Sequence, residues 1–99
     1  MKNPIEHINK AFESKVRLGI MSVLTVNEQA DFKTLKELLD LTDGNLASHI
    51  RGLEEIGYIR VQKQFIGRKP NTSYSVTEEG RQAFIEHLNA LEDFLKSVS

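Results

Sequence analysis

Cysteine is absent from the 99 residues, which excludes disulfides, thiolate zinc sites and thiol redox sensing. Nor is there an apolar run long enough for a signal peptide or a membrane span, since Met1-Lys2-Asn3-Pro4 leads straight into an amphipathic, charged pattern. A soluble, cytoplasmic protein without membrane contact is expected. The chain has no phosphate-cradling glycine loop and no His–Glu pair at zinc spacing, so neither an enzyme nor a cofactor is expected. Repeats, low-complexity tracts and linkers are missing too, and residues 1–99 read as a single small domain. A domain of this size buries only about 60–70% of its unfolded surface. Acid is missing from one stretch: Ile56 to Thr77 holds Arg60, Lys63, Arg68 and Lys69 but no Asp or Glu.

What is present has a clear order. Ile5, Ile8, Phe12 and Val16, then Ile20, Val23 and Leu24, form the apolar stripe of a long first helix from about Pro4 to about Val26. Gly19 inside it suggests the close approach of another backbone. Asn27 to Asp31 is a connector, and Phe32 is expected to give a short strand-like bridge. Thr34 is the expected cap of a second helix, Leu35 to Leu39. Asp43-Gly44-Asn45 opens a third, whose Leu46, Ile50 and Leu53 share one face. Gly57 stops it. Tyr58 to Phe65 alternates like a half-buried strand, Gly67-Arg68-Lys69-Pro70-Asn71 forms a tip, and Ser73 to Val76 resumes the ribbon. Thr77 caps a final helix running to about Lys96. The fold class is α+β, mostly helical, with long N- and C-terminal helices around a helix and a two-stranded ribbon.

In the last helix Phe84, Leu88, Leu91, Leu95 and Val98 are spaced as a heptad seam. A helix of twenty residues spans about 30 Å, as wide as a small domain. One small core cannot cover both terminal helices. Ile5, Ile8 and Phe12 with the five seam residues are therefore the candidate interface of a two-fold homodimer.

A formal net charge of −1 argues against a general polyanion binder, but the charge is segregated. The ribbon is basic, whereas Glu78, Glu79, Glu86, Glu92 and Asp93 lie downstream. Fields beyond a Debye length of about 8–10 Å are screened, so a local basic patch suffices to hold phosphate. A helix bearing small polar groups, followed by a ribbon with a cationic tip, suits double-stranded DNA.

Three segments carry a resemblance to a known family. Arg17-Leu18-Gly19-Ile20-Met21-Ser22-Val23-Leu24 resembles the first-helix signature of the MarR, ArsR and PadR group of winged helix-turn-helix transcriptional regulators. Gly44-Asn45-Leu46-Ala47-Ser48-His49-Ile50 with Leu53-Glu54-Glu55-Ile56-Gly57-Tyr58-Ile59 resembles its recognition helix and the turn beyond. Tyr74-Ser75-Val76-Thr77-Glu78-Glu79-Gly80-Arg81 resembles its strand-to-helix junction. The resemblance implies a homodimer on a palindromic operator, often controlled by a small effector. The alternative is a winged helix that binds another protein and no DNA. The metal-sensing branch of the ArsR group carries a cysteine pair in this region, which is absent here. Glu86, His87, Glu92 and Asp93 offer one imidazole, too few donors for a transition metal.

With Leu46, Ile50 and Leu53 inward, the wheel of the third helix turns Gly44, Asn45, Ser48, Arg51, Gly52 and Glu55 outward. Asn45, Ser48 and Arg51 are candidates for base edges or phosphates, Arg favouring guanine and Asn adenine. Gly52 is expected to let the helix lie close to the groove wall. Two readings stand for His49, a DNA contact or packing at the domain edge. Lys63, Arg68, Lys69 and Asn71 are the phosphate candidates of the ribbon. Lys33 and Thr34 are secondary ones, because a helix start offers unpaired amides.

Overall fold

A computed structural model describes residues 9–12 and 14–98. After a 3-10 turn at Lys10–Phe12 come α1 (Lys15–Val26), β1 (Ala30–Asp31), α2 (Phe32–Leu39), α3 (Asp43–Glu55), β2 (Ile59–Ile66), β3 (Lys69–Val76) and α4 (Glu78–Val98). The strands form an antiparallel sheet in the order β1-β3-β2. Helices and sheet are joined as in a winged helix, in agreement with the expected class.

The expected first helix is broken. Ser14 adopts an extended conformation and its hydroxyl accepts from the amides of Val16 and Arg17, so α1 starts only at Lys15. Ile5 and Ile8 lie outside the described residues. Phe12 turns into the core beside Tyr58 and Phe84, its ring centroid 5.5 Å from each. The Asn9 side chain donates to the Tyr58 hydroxyl at 2.9 Å, and its backbone amide donates to His87 Nδ1 at 3.1 Å. Burial lowers the pKa of His87 and keeps the ring neutral, as an accepting Nδ1 requires.

Two helix caps differ from expectation. Asp31, not Thr34, caps α2, its carboxylate accepting from the Thr34 amide at 2.8 Å. Phe32 is therefore helical, and the strand bridge falls one residue earlier, with Ala30 opposite Tyr74 and Asp31 opposite Ser73. Thr42 caps α3 by accepting from the Asn45 amide at 3.2 Å. Between α2 and α3, Asp40 takes the left-handed conformation at φ 52°, and Lys36 bridges to Asp43 at 2.8 Å. This tight turn sets the angle between the two helices.

Leu46, Ile50 and Leu53 are buried as their spacing predicts, against Ile20, Met21 and Leu24 of α1 and Leu35 of α2. Gly19 meets a side chain and no backbone: a Cβ there would stand 2.9 Å from Leu39 Cδ2. Gly57 ends α3 at φ +82°, where a glycine carries no steric penalty. The ribbon is longer than expected. β2 and β3 pair from Ile59↔Val76 out to Ile66↔Lys69, which leaves Gly67 and Arg68 as a two-residue turn with Gly67 at φ +67°. Pro70 is tolerated inside β3 because β1 reaches only Ser73 and Tyr74, so β3 has an open side at Pro70. The half-buried alternation ends early: Ile59 is buried and Val61 half-buried, but β2 is exposed from Gln62 onward, where the ribbon passes the edge of the core.

Candidate nucleic-acid interface

Two surfaces flank the end of the core, the outer face of α3 and the projecting ribbon. Asn45, Ser48 and Arg51 are all exposed on α3. The buried face of α3 fixes their direction, since Leu46, Ile50 and Leu53 leave the helix no freedom to rotate. None of the three side chains has a hydrogen-bond partner or ion pair within the described residues. A row of uncommitted polar groups on a rigid helix suits recognition of base edges, whose donors and acceptors are fixed in space.

Gly52 does not face outward as its wheel position suggested. The guanidinium of Arg17, reaching across from α1, lies on it: a Cβ at Gly52 would overlap Nη2 and stand 2.9 Å from Cζ. The same guanidinium donates through Nε to His49 Nδ1 at 3.2 Å. His49 therefore packs at the edge of the domain, the second of its two readings. Its pKa is lowered by burial first and then by the Arg17 charge, which keeps the imidazole neutral and able to accept. Arg17 is the residue of this surface that the sequence reading passed over. Its position inside the first-helix signature was visible, but its contact with a glycine 35 residues downstream was not.

On the ribbon, Lys63, Arg68 and Lys69 are exposed and Asn71 is half-buried. The register puts Lys63, opposite Thr72, on one face with Phe65 and Pro70, and Lys69, opposite Ile66, on the other. Arg68 occupies the turn between them. The tip thus carries positive charge on both faces and at its apex. Asn71 shares its face with Gln64 and Lys69 and sits two residues from the tip.

The start of α2 is a weaker phosphate site than expected. The Thr34 amide is already taken by Asp31. Hydrogen bonds from Thr34 hold the Asp31 carboxyl below its ordinary range, so a fixed negative charge stands where a phosphate was expected. Lys33 remains exposed beside it.

The structure divides the seam of α4. Phe84 is buried in this chain's own core, as is Phe12, together with His87 and Ala90. Leu91 is half-buried, while Leu88, Leu95 and Val98 are exposed at 45%, 65% and 65%. The outward stripe is therefore Leu88, Leu91, Leu95 and Val98. Among the described residues no helix is long and apolar enough to cross a membrane.

Comparison with known proteins agrees with this geometry. Residues 16–95 match the family described as the winged helix DNA-binding domain. An uncharacterized protein of Methanocaldococcus jannaschii is 37% identical over 89 residues, covering 90% of this chain and 97% of its own. The solved structure of a transcriptional regulator homologue from Pyrococcus horikoshii superposes with a TM-score of 0.80 at 32% identity, covering 95% of this chain and 98% of that one. YusO of Bacillus subtilis shares the fold at a TM-score of 0.82 with 17% identity, over 96% of this chain and 67% of that one. With an intact helix-turn-helix, a basic ribbon and a family match across most of its length, the chain belongs to the winged helix DNA-binding domain family.

Proposed function

We propose that the protein is a sequence-specific transcriptional regulator that binds a palindromic operator as a homodimer. The observation that carries this reading is the pairing of two surfaces: an α3 face with uncommitted Asn45, Ser48 and Arg51, and a ribbon without acid that bears Lys63, Arg68 and Lys69. The α3 face enters the major groove and reads bases, while the ribbon lies on phosphates and sets the register. Glu55 at the end of α3 repels phosphate, so the N-terminal half of the helix goes deepest. A two-fold dimer presents its recognition helices to one face of the duplex, with half-sites about 10–10.5 base pairs apart, centre to centre. The reading includes a small-molecule effector. It is supported by a cleft of about 450 Å³ between α1, α2 and the ribbon, lined among others by Val23, Gln29, Leu38, Gln64 and Ser73, which falls in the usual size range of ligand pockets.

Selection of bound duplexes from a random pool tests the reading. The wild type should enrich an inverted repeat, and Asn45→Ala or Ser48→Ala should relax the preference at one symmetric pair of positions. Each lost base contact costs about 1–3 kcal/mol of discrimination. Failure to enrich any sequence would favour a protein-interaction role.

The dimer rests on the apolar stripe of α4. Leu88→Glu is expected to give monomers, because an unpaired carboxylate in a dry seam costs several kcal/mol. Sedimentation at tens of micromolar separates the cases: the wild type should run as a dimer and the variant as a monomer. A monomeric wild type would remove the dimer from the proposal.

A further inference from the structure

We infer that Arg17 is a phosphate-binding residue of the DNA interface, held ready on the flank of α3 by His49 and Gly52. The inference rests on the DNA-binding reading above and adds a contact outside both α3 and the ribbon.

Three observations carry it. Nε of Arg17 is committed to His49 Nδ1 at 3.2 Å. The Nη2 end of the guanidinium lies over Gly52, in space that any Cβ would fill. No carboxylate among the described residues is within ion-pair distance of it. A guanidinium that uses only Nε still has its Nη donors, and such a fork matches the oxygens of a phosphate.

Position completes the argument. On the α3 wheel His49 and Gly52 stand on either side of Asn45, at the edge of the face assigned to bases, which runs on through Ser48 to Arg51. A cation at the flank of a helix lying in the major groove stands beside the groove wall, where the phosphates are. Two contacts already fix the side chain, so much of the ordering cost of binding is met before DNA arrives.

The salt dependence of duplex binding tests the assignment. Losing one phosphate contact per subunit removes two per dimer, at about 0.9 units of slope each. Arg17→Gln should flatten the plot of log affinity against log salt by about 1–2 units and weaken binding roughly 10- to 30-fold near 0.15 M salt. Arg17→Lys, which keeps the charge, should retain the wild-type slope. A folded Arg17→Gln protein with the wild-type slope would overturn the inference, since a purely structural role changes affinity without changing counterion release. A wild-type slope near zero would instead overturn the DNA reading itself. Should Arg17→Gln fail to fold, the wild type still decides: its Arg17 Nε–H NMR signal, identified by its loss in Arg17→Lys, should shift on adding duplex. An unmoved signal in the bound state overturns the assignment.

Discussion

Gly80→Ala is expected to lower the melting temperature by roughly 12–24 °C, the effect of about 3 kcal/mol in a domain of this size. The reason lies at the junction of ribbon and last helix. The Thr77 hydroxyl donates to the Gly57 carbonyl at 2.6 Å and accepts from the Gly80 amide at 2.9 Å, while the Thr77 amide donates to the Tyr58 carbonyl at 3.0 Å. Gly80 is pressed onto that same carbonyl: a Cβ would overlap the Tyr58 oxygen and stand 2.8 Å from its carbon. Backbone cannot step aside as a side-chain end can, so relief requires α4 to lift from β2 and loosen Phe84 and Phe12 behind it. Gly44→Ala is the control. Nothing lies within 4 Å of its Cβ position, and alanine in a helix gains up to about 1 kcal/mol over glycine. Thermal unfolding followed by circular dichroism separates the two. Equal melting temperatures for Gly80→Ala and wild type would show that the junction yields more easily than its geometry implies.

The second large effect belongs to the ribbon tip. Arg68→Ala with Lys69→Ala removes four charges from the proposed dimer, and the salt slope should flatten by about 2–4 units from a wild-type value of about −5 to −7. Near 0.15 M salt this amounts to a loss of roughly 100- to 1000-fold. The loss should be equal for operator and unrelated duplex, because phosphate contacts carry no sequence information. Titration by fluorescence anisotropy at several salt concentrations measures both quantities. Loss confined to the operator would show that the tip reads bases or groove shape and would revise the division of labour between α3 and the ribbon.

The parts of this fold legible in the sequence were those set by local pattern. The inward face of α3 follows from Leu46, Ile50 and Leu53, and its end from Gly57, because helix period and left-handed glycine are properties of neighbours in the chain. The break before α1 was hidden by its own apolar spacing. Phe12 and Val16 stand four apart across Ser14, as in one helix, although Phe12 reaches the core from a separate turn. The cap of α2 was misplaced because Asp31 and Thr34 are both good capping residues, and strand pairing with Ser73 decides between them. Gly52 and Arg17 form the clearest case. A small residue on the outward side of a helix reads as a groove contact until the fold lays an arginine across it. The exposed candidates Asn45, Ser48, Arg51, Lys63, Arg68 and Lys69 needed only the outward direction of a known face, and the structure leaves all of them at the surface.

The strand order β1-β3-β2 makes β2 an edge strand of eight residues, paired with β3 on one side only, and Phe65 and Ile66 are exposed near its end, at 74% and 64%. Such an edge is a template on which a second chain can add a strand, and exposed apolar residues strengthen the attraction. Arg60 and Lys63 within β2, and Arg68 and Lys69 at its tip, oppose this by mutual repulsion between copies. Lys63, Arg68 and Lys69, which the proposal assigns to phosphate, thus have a second consequence when no DNA is bound: with Arg60, their charge works against pairing between copies of β2. Selection for weaker DNA affinity through loss of these charges would therefore run toward self-association, which limits how far this surface can drift while the ribbon keeps its length.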